Sequence, residues 1–254
     1  MTSHHQLNQQ QYGDKANNYL TSQVHAQGQE FGKMQALAQQ YNWQNLLDLG
    51  CGGGHVSYHL APYVKQVTAY DLTPQMVALV EQQAKEKGLT NVQGVVGVAE
   101  QLPFANQTFD AIVTRFSAHH WHNLNQALLE MHRVLTDDGK VIIVDVLGHA
   151  HPVINNFLQT IETLRDPSHV RDYHLAEWGY AVELAGFRIE QIQKQRLPLA
   201  FDSWVTRMAT PSEAVASILT LQKSVSDTVK QYYQLADDGS FTTDVIYLVL
   251  SKLP

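Results

Sequence analysis

Cysteine is almost absent from this 254-residue sequence, which contains Cys51 alone. A single cysteine excludes a disulfide within the chain and favours a reducing compartment. Basic residues are also few, since 17 lysines and arginines face 24 aspartates and glutamates, for a formal net charge of −7. A general nucleic-acid-binding protein normally has a basic face, so we expect no nucleic-acid partner.

Long apolar runs are missing as well. No stretch reaches the roughly 20 apolar residues that a membrane helix needs. Residues 1–15 are polar and lack the apolar core of a signal peptide. We therefore expect a cytoplasmic protein without a membrane partner. Its expected oligomeric state is a monomer or a homodimer. The glutamine clusters of residues 6–11 predict a frayed end. Because 44% of the residues are hydrophobic, a substantial core is expected.

Predicted strands and helices alternate between residues 45 and 148. The predicted strands cover residues 45–49, 66–70, 91–96, 109–114 and 140–146. The helices predicted between them cover residues 55–63, 74–87 and 123–135. Such alternation is typical of a parallel sheet with right-handed crossovers, so the predicted fold class is α/β.

The pattern changes outside this region. After residue 148, helices are predicted at residues 152–164, 175–185 and 211–235, and long strands at 187–197 and 241–251. The two closing strands predict an antiparallel edge on the sheet. Residues 14–41 predict a helix, with an imperfect apolar stripe made by Tyr19, Leu20, Val24, Phe31, Met34 and Leu37.

A glycine loop follows the first predicted strand and precedes a predicted helix. Gly50, Gly52 and Gly54 allow the backbone to pass close to a ligand, and the helix directs free N–H groups to the same place. A dinucleotide-binding G-x-G-x-x-G loop would need glycine where this chain has His55 or Ser57. A P-loop would need Gly-Lys followed by Ser or Thr, which the sequence lacks, so neither phosphate-binding motif fits.

Acidic residues end the first two predicted strands. Asp48 precedes the glycines, where a carboxylate would repel a phosphate but attract a cation such as the amino group of an amino acid. Asp71 ends the next strand, where a carboxylate can accept hydrogen bonds from two ribose hydroxyls. The pattern predicts a ligand with a cationic amino-acid end and a ribose.

Five segments together resemble the motifs of class I S-adenosylmethionine-dependent methyltransferases. They are residues 48–54, 71–76, 97–104, 115–121 and 135–140. The resemblance is to the methyltransferase type 11 group, which includes the ubiquinone/menaquinone C-methyltransferases. It is strong over residues 45–146 and looser elsewhere.

The resemblance implies S-adenosylmethionine as cofactor and a Rossmann-like, seven-stranded, mostly parallel sheet with helices on both faces and an antiparallel edge strand. It implies that Asp48 and Gly50 hold the methionine end. It also implies that Asp71 binds the ribose and that Met76 packs on the adenine. The predicted cofactor-binding residues are Asp48, Gly50, Cys51, Gly52, Asp71, Leu72, Met76, Val98, Ala99, Glu100 and Arg115.

One position departs from the family pattern. Family members usually carry an acid where Val98 stands, and that acid binds the adenine amino group. Here the backbone of Ala99 or the side chain of Glu100 would have to take over this contact.

A single domain, residues 1–254, is expected in three parts. Residues 1–44 would form a helical lid, residues 45–148 the cofactor-binding core, and residues 149–254 the acceptor-side and sheet-completing part. By resemblance, the lid side chains that could face the methyl group are Tyr12, Tyr19 and His25. On the acceptor side, the candidates are Arg165 or Arg171 for an anionic group, and an insertion containing Trp204, Arg207 and Met208.

The sequence contains 13 histidines, of which His119 and His120 follow the fourth predicted strand at the ligand-binding edge. A metal site needs three or four converging ligands, and adjacent side chains often point in different directions, so we predict no metal. Both residues are predicted to be catalytic, because either could act as a general base toward an acceptor that must lose a proton. The alternative is that one binds the backbone and the other lines the cofactor pocket.

We therefore predict transfer of a methyl group from S-adenosylmethionine to a small-molecule acceptor, with carbon, oxygen and nitrogen acceptors all open. A quinone-type C-methyltransferase is the alternative within the family. The alternatives outside it are a non-catalytic protein that binds S-adenosylmethionine and an NAD-dependent oxidoreductase, which the missing third glycine disfavours.

Overall fold

The computed structural model of the chain describes residues 3–13, 15, 26 and 28–254. Seven strands in this part form one sheet. They are β1 (Asn45–Leu49), β2 (Gln66–Asp71), β3 (Val92–Val96), β4 (Phe109–Arg115), β5 (Leu135–Val146), β6 (Phe187–Leu199) and β7 (Phe241–Lys252). Their order is β3-β2-β1-β4-β5-β7-β6.

Helices cover both faces of the sheet. In chain order they are α1 (His4–Gly13), α2 (Gln29–Tyr41), α3 (His55–Leu60), α4 (Pro74–Glu86), α5 (Leu124–Val134), α6 (Pro152–Arg165), α7 (Leu175–Leu184), α8 (Phe201–Arg207), α9 (Ser212–Ser224) and α10 (Asp227–Tyr233). Short 3₁₀ turns lie at Ala61–Tyr63 and Ala118–His120. No helix in the described ranges is both long and apolar enough to span a membrane.

The strand directions confirm the predicted α/β fold with its antiparallel edge. Strand β1 pairs in parallel with β2 on one side and β4 on the other, placing Asp48 opposite Ala69 and Val113. Strand β7 runs antiparallel to both β5 and β6. The order of the chain through the sheet reverses between β1 and β4, and ligands of open α/β sheets bind at the carboxyl ends of strands at such a point.

Alternate residues of the central strands enter two separate cores. On one face, Leu47 and Leu49 pack with buried side chains of α5 and α7, including Leu128 and Trp178. On the other face, Leu46 packs with the buried side chains of α2 and α3. Burial on both faces explains why β1 is apolar at nearly every position. Asp48 is the buried charged residue of this strand, so its carboxylate needs hydrogen-bond partners.

The N-terminal region differs from prediction. The glutamine-rich segment forms α1, so the expected frayed end at residues 6–11 is wrong. The predicted helix over residues 14–41 is described only as α2, whose buried Phe31, Met34 and Leu37 confirm that half of the stripe. The stripe residues Tyr19, Leu20 and Val24, and the lid candidate His25, lie outside the described residues.

Two further differences lie in the second half of the chain. The predicted helix at residues 211–235 is two helices, α9 and α10, which Val225 and Ser226 separate. Helix α8 was not predicted, because seven residues are too few for propensity or periodicity to signal a helix. Packing stabilises α8 instead, since its Phe201, Trp204 and Val205 are buried.

Neighbouring leucines of α5 test the assignment of its buried face. Leu128 is 0% exposed and Leu129 is 47% exposed. We expect Leu128→Ala to lower the free energy of unfolding by about 2–5 kcal/mol, because it leaves a cavity against the sheet. Leu129→Ala, the matched control, should change it by less than about 0.5 kcal/mol. Urea unfolding measures both, and equal losses would contradict the assignment.

Candidate active site

A pocket of about 950 Å³, counting its open mouth, lies at the carboxyl ends of β1, β2 and β4. We call it the first pocket. Every predicted cofactor-binding residue lines it: Asp48, Gly50, Cys51, Gly52, Asp71, Leu72, Met76, Val98, Ala99, Glu100 and Arg115. His120 lines it too, whereas His119 faces a different pocket.

The glycine loop is fastened to the end of β2. The N–H groups of Gly50 and Cys51 both donate to the carbonyl of Tyr70, at 2.8 and 3.0 Å. Gly50 has a φ of +75°, and a Cβ atom there would lie 1.9 Å from Oγ of Ser117. Only glycine satisfies both conditions, so this loop can follow its path close to the neighbouring strand end.

Asp48 is fully buried in the wall of the first pocket. Its Oδ2 accepts hydrogen bonds from Ser57, at 3.0 Å from the backbone N–H and 2.6 Å from the hydroxyl. Its Oδ1 has no hydrogen-bond partner among the described residues. Burial raises the pKa of Asp48 to about 7, although the Ser57 hydrogen bonds oppose that rise. A buried acceptor without a partner is the group that a cationic ligand atom would satisfy.

Ser57 is a site residue that sequence reasoning missed. In the sequence, Ser57 only marks a position where a dinucleotide-binding loop would have glycine, whereas in the structure it fixes the Asp48 carboxylate from the first turn of α3. The available signal was a serine at the start of a helix, where a free backbone N–H group and a hydroxyl lie side by side.

Asp71 bridges the glycine loop and the start of α4. Its Oδ2 accepts from the N–H of Gly52 at 3.0 Å, and its Oδ1 accepts from the N–H of Thr73 at 2.8 Å. Burial raises the pKa of this carboxyl above its ordinary value, and both hydrogen bonds oppose the rise. Each carboxylate oxygen has a second lone pair with which to accept from a ligand hydroxyl.

Residues 97–100 form the wall that departs from the family pattern. The Tyr70 hydroxyl donates to the carbonyl of Val98 at 3.0 Å, and a Cβ atom on Gly97 would lie 2.0 Å from that hydroxyl. Glu100 is the carboxylate present here, and its Oε1 accepts from the N–H of Asn123 at 3.1 Å. The acid missing at position 98 therefore has a neighbour of the same chemistry on the same wall.

Arg115 contacts protein at the base of the first pocket. Its Nη2 lies 2.7 Å from Oε1 of Glu30, and its guanidinium stacks between the rings of Phe31 and Phe116. Burial lowers the pKa of Arg115, and the Glu30 carboxylate opposes that effect. The side chain thereby ties the start of α2 to the end of β4, a contact that the sequence did not indicate.

Helix α1 lies over the first pocket and contributes His5, Asn8 and Tyr12 to its lining. Gln9 Nε2 donates to the carbonyl of Leu72 at 3.0 Å. The Tyr12 hydroxyl donates to Oδ2 of Asp166 at 2.9 Å.

The adjacent histidines His119 and His120 differ in charge. His119 Nδ1 lies 2.5 Å from Oδ1 of Asp145. Burial alone would lower the pKa of His119, but the Asp145 carboxylate raises it to about 9. Burial and the neighbouring His119 cation lower the pKa of His120 to about 3. At neutral pH, His119 is therefore a cation and His120 is a neutral imidazole.

His120 also contacts α1. Its Nε2 lies 2.7 Å from the Tyr12 hydroxyl. Its Nδ1 lies 3.2 Å from the carbonyl of Ser168, and the Tyr12 hydroxyl also donates to Asp166. The contact with Tyr12 joins α1 to the segment that follows β4.

A second pocket of about 490 Å³, counting its mouth, adjoins the first. Tyr12 and Phe116 line both pockets. The other residues that line the second pocket are His119, Val146, Glu162, Arg165, Leu197, Leu199, Trp204 and Arg207. The predicted candidates Arg165, Trp204 and Arg207 are thus brought together, whereas Arg171 pairs with Glu177 and Met208 packs against Met76.

The histidines do not form a metal centre in the described part of the chain. No group of three or more histidine, cysteine, aspartate or glutamate side chains there has the arrangement that could hold a metal ion.

Comparisons with known proteins agree with the geometry. Residues 47–143 match the family described as a methyltransferase domain. The chain is 42% identical over 203 residues to the uncharacterized protein YafE of Escherichia coli, covering 80% of this chain and 98% of that protein. It is 35% identical to YcgJ, an uncharacterized methyltransferase of Bacillus subtilis, over 89% of each chain.

The crystal structure of YcgJ has the same fold, with a TM-score of 0.84 over 88% of this chain and 98% of that one. Similarity to a named quinone enzyme is shorter. The ubiquinone/menaquinone biosynthesis C-methyltransferase UbiE of Blochmanniella pennsylvanica is 34% identical over 104 residues, covering 39% of this chain and 41% of that protein.

The His119–Asp145 pair predicts a specific dependence of stability on pH. A histidine whose pKa is about 9 when folded and about 6.5 when unfolded stabilises the fold by about 3 kcal/mol below pH 6.5. This contribution is lost as the pH rises through 9. We expect His119→Gln to be less stable than the wild type at pH 6, with the difference shrinking toward pH 10.

Urea unfolding across that pH range measures the effect. His151→Gln, which removes an exposed histidine, is the matched control and should follow the wild-type curve. A difference between His119→Gln and the wild type that does not depend on pH would contradict the ion pair.

Proposed function

The chain belongs to the methyltransferase family as an S-adenosylmethionine-dependent enzyme, and we propose that it methylates a small organic acceptor held in the second pocket. The observation that carries the proposal is that the two pockets share the walls formed by Tyr12 and Phe116. A donor in one pocket and an acceptor in the other would therefore be neighbours at these two side chains. Alignment of the two reactants supplies much of the rate of a methyl transfer.

The residues of the first pocket fit the cofactor. The free Oδ1 of Asp48 would meet its amino group, and Asp71 would accept hydrogen bonds from its ribose hydroxyls. Met76 and the wall at residues 98–100 would enclose the adenine, with Glu100 in the role of the absent acid. When bound, the cofactor supplies an electrophilic methyl group on a sulfonium.

We propose electrostatic and positioning roles for the two histidines. His119 is protonated at neutral pH, so it can stabilise negative charge on the acceptor but cannot take up a proton. The neutral His120 lines the first pocket, where a protonated His120 would repel the sulfonium of the donor. Its hydrogen bond to Tyr12 would hold α1 in place over both pockets.

The quinone alternative has less support. The 104 residues aligned with UbiE are fewer than the residues between Asp48 and Arg207, so this similarity cannot include both pockets. The oxidoreductase alternative loses its basis, because the family match and the relatives concern methyltransferases.

Asp71→Ala tests the cofactor assignment. We expect S-adenosylhomocysteine to bind about 10–100-fold more weakly, because charge-assisted hydrogen bonds to the ribose are lost. Asp138→Ala, at an exposed position of β5, is the control and should bind normally. Isothermal titration calorimetry measures both affinities. Unchanged binding by Asp71→Ala would show that the ribose lies elsewhere.

The pKa of Asp48 predicts a pH dependence of the same binding. Only the ionised carboxylate attracts an amino group, so affinity for S-adenosylhomocysteine should rise about tenfold from pH 6 to pH 8. Asp71 and Arg115 face the same carboxylate, and Asp48→Asn separates its contribution from theirs. Calorimetry at each pH should give a much flatter profile for Asp48→Asn. A wild-type profile as flat as that of the variant would contradict this role.

A further inference from the structure

We propose that the second pocket selects an acceptor with an apolar body and an anionic group, such as a carboxylate or an ionised enol or phenol. This inference depends on the proposed function, since it names the class of molecule that would receive the methyl group. It is carried by the arrangement of apolar and basic side chains around one cavity.

The body of the acceptor would meet an apolar surface. Val146 comes from the end of β5, Leu197 and Leu199 from the end of β6, and Trp204 from α8. Trp204 is held edge-on by Phe241 at 5.0 Å between ring centroids, so this wall is well packed. A flat hydrophobic ring or chain buries apolar area against it, which favours binding.

The charged part of the lining is mainly basic. His119, Arg165 and Arg207 line the pocket, and Glu162 is the carboxylate among its described lining residues. Glu162 lies 3.2 Å from Arg165 Nη1, so its charge is largely balanced by that guanidinium. The Asp145 carboxylate that keeps His119 protonated does not line the pocket. Three basic side chains and one carboxylate among the described lining residues therefore face the contents of the cavity, and this favours an anionic group.

The charge states of His119 and His120 separate the two reactants. The cation lines the second pocket, and the neutral imidazole lines the first, where a cationic donor would sit. An anion in the second pocket and a sulfonium in the first would attract each other across the shared walls of Tyr12 and Phe116. The pattern of protein charge matches a reaction between an anion and a cation.

An anionic acceptor also agrees with the protonated state of His119 in the second pocket. The acceptor atom forms its bond to the methyl carbon with its own electron pair. The bond from that carbon to sulfur breaks, its electrons stay on sulfur, and S-adenosylhomocysteine leaves as a neutral thioether. No proton has to be removed, so a protonated His119 suits this reaction.

Binding of three similar probes to the full chain tests the proposal. We would titrate 2-naphthoate, neutral 2-naphthamide and cationic 2-naphthylmethylammonium into protein saturated with S-adenosylhomocysteine. We expect 2-naphthoate to bind at least tenfold more tightly than either other probe. Equal binding of the three, or tighter binding of the amide or ammonium, would overturn the proposal.

Variants locate the selectivity. His119→Gln and Arg207→Gln should each reduce the preference for 2-naphthoate over 2-naphthamide about tenfold, while the S-adenosylhomocysteine affinity of Arg207→Gln stays within twofold of the wild type. His151→Gln, at an exposed position, should keep the full preference. An unchanged preference in both pocket variants would place the anion elsewhere and overturn the proposal. Each variant is first checked by thermal unfolding, and the wild-type probe series decides the question if a variant does not fold.

The outcomes for the two proposals are distinct. If S-adenosylhomocysteine fails to bind the wild type, the proposed function is wrong, and the probes are then titrated into the free protein. If it binds and the probes show no preference for the carboxylate, the methyltransferase assignment stands and the acceptor class is wrong.

Discussion

The ion pair between His119 and Asp145 is the interaction on which the chemistry of both pockets depends. It keeps one imidazole charged inside the protein, and that charge in turn lowers the pKa of His120 next to it. Two adjacent histidines thus differ in charge: one is a cation and the other is neutral. Because they line different pockets, a single buried carboxylate at the end of β5 influences the charge of one histidine on each side of the shared wall.

In the first pocket, a single backbone carbonyl likewise accepts two hydrogen bonds. Gly50 and Cys51 share the Tyr70 carbonyl, and this contact brings the ends of β1 and β2 together. Asp48 and Asp71 then face one cavity, although burying two carboxylates so close together is costly. Hydrogen bonds from Ser57, Gly52 and Thr73 offset part of that cost. Asp48 Oδ1 and the Asp71 carboxylate can accept hydrogen bonds from a ligand.

The sequence predicts the sheet and the first pocket well because both depend on local patterns. Strand β1 and the loop that follows it are signalled by apolar residues, a glycine at a positive φ and an acid at the strand end. The second pocket could not be assembled in this way. His119, Arg165 and Trp204 lie on separate elements, and only the packing of α6, α8 and β6 brings them together. Likewise, no local pattern shows that Arg115 meets Glu30, because 85 residues separate them.

Helix α1 lies over the two pockets but is not packed into the core. It contributes no buried residue, and polar contacts hold it, including those of Gln9 with Leu72 and of Tyr12 with Asp166. Opening such a helix breaks a few hydrogen bonds that water can replace, whereas opening a core helix exposes apolar area. The polar, glutamine-rich composition that suggested a frayed end therefore belongs to a helix that costs less to displace than the core helices.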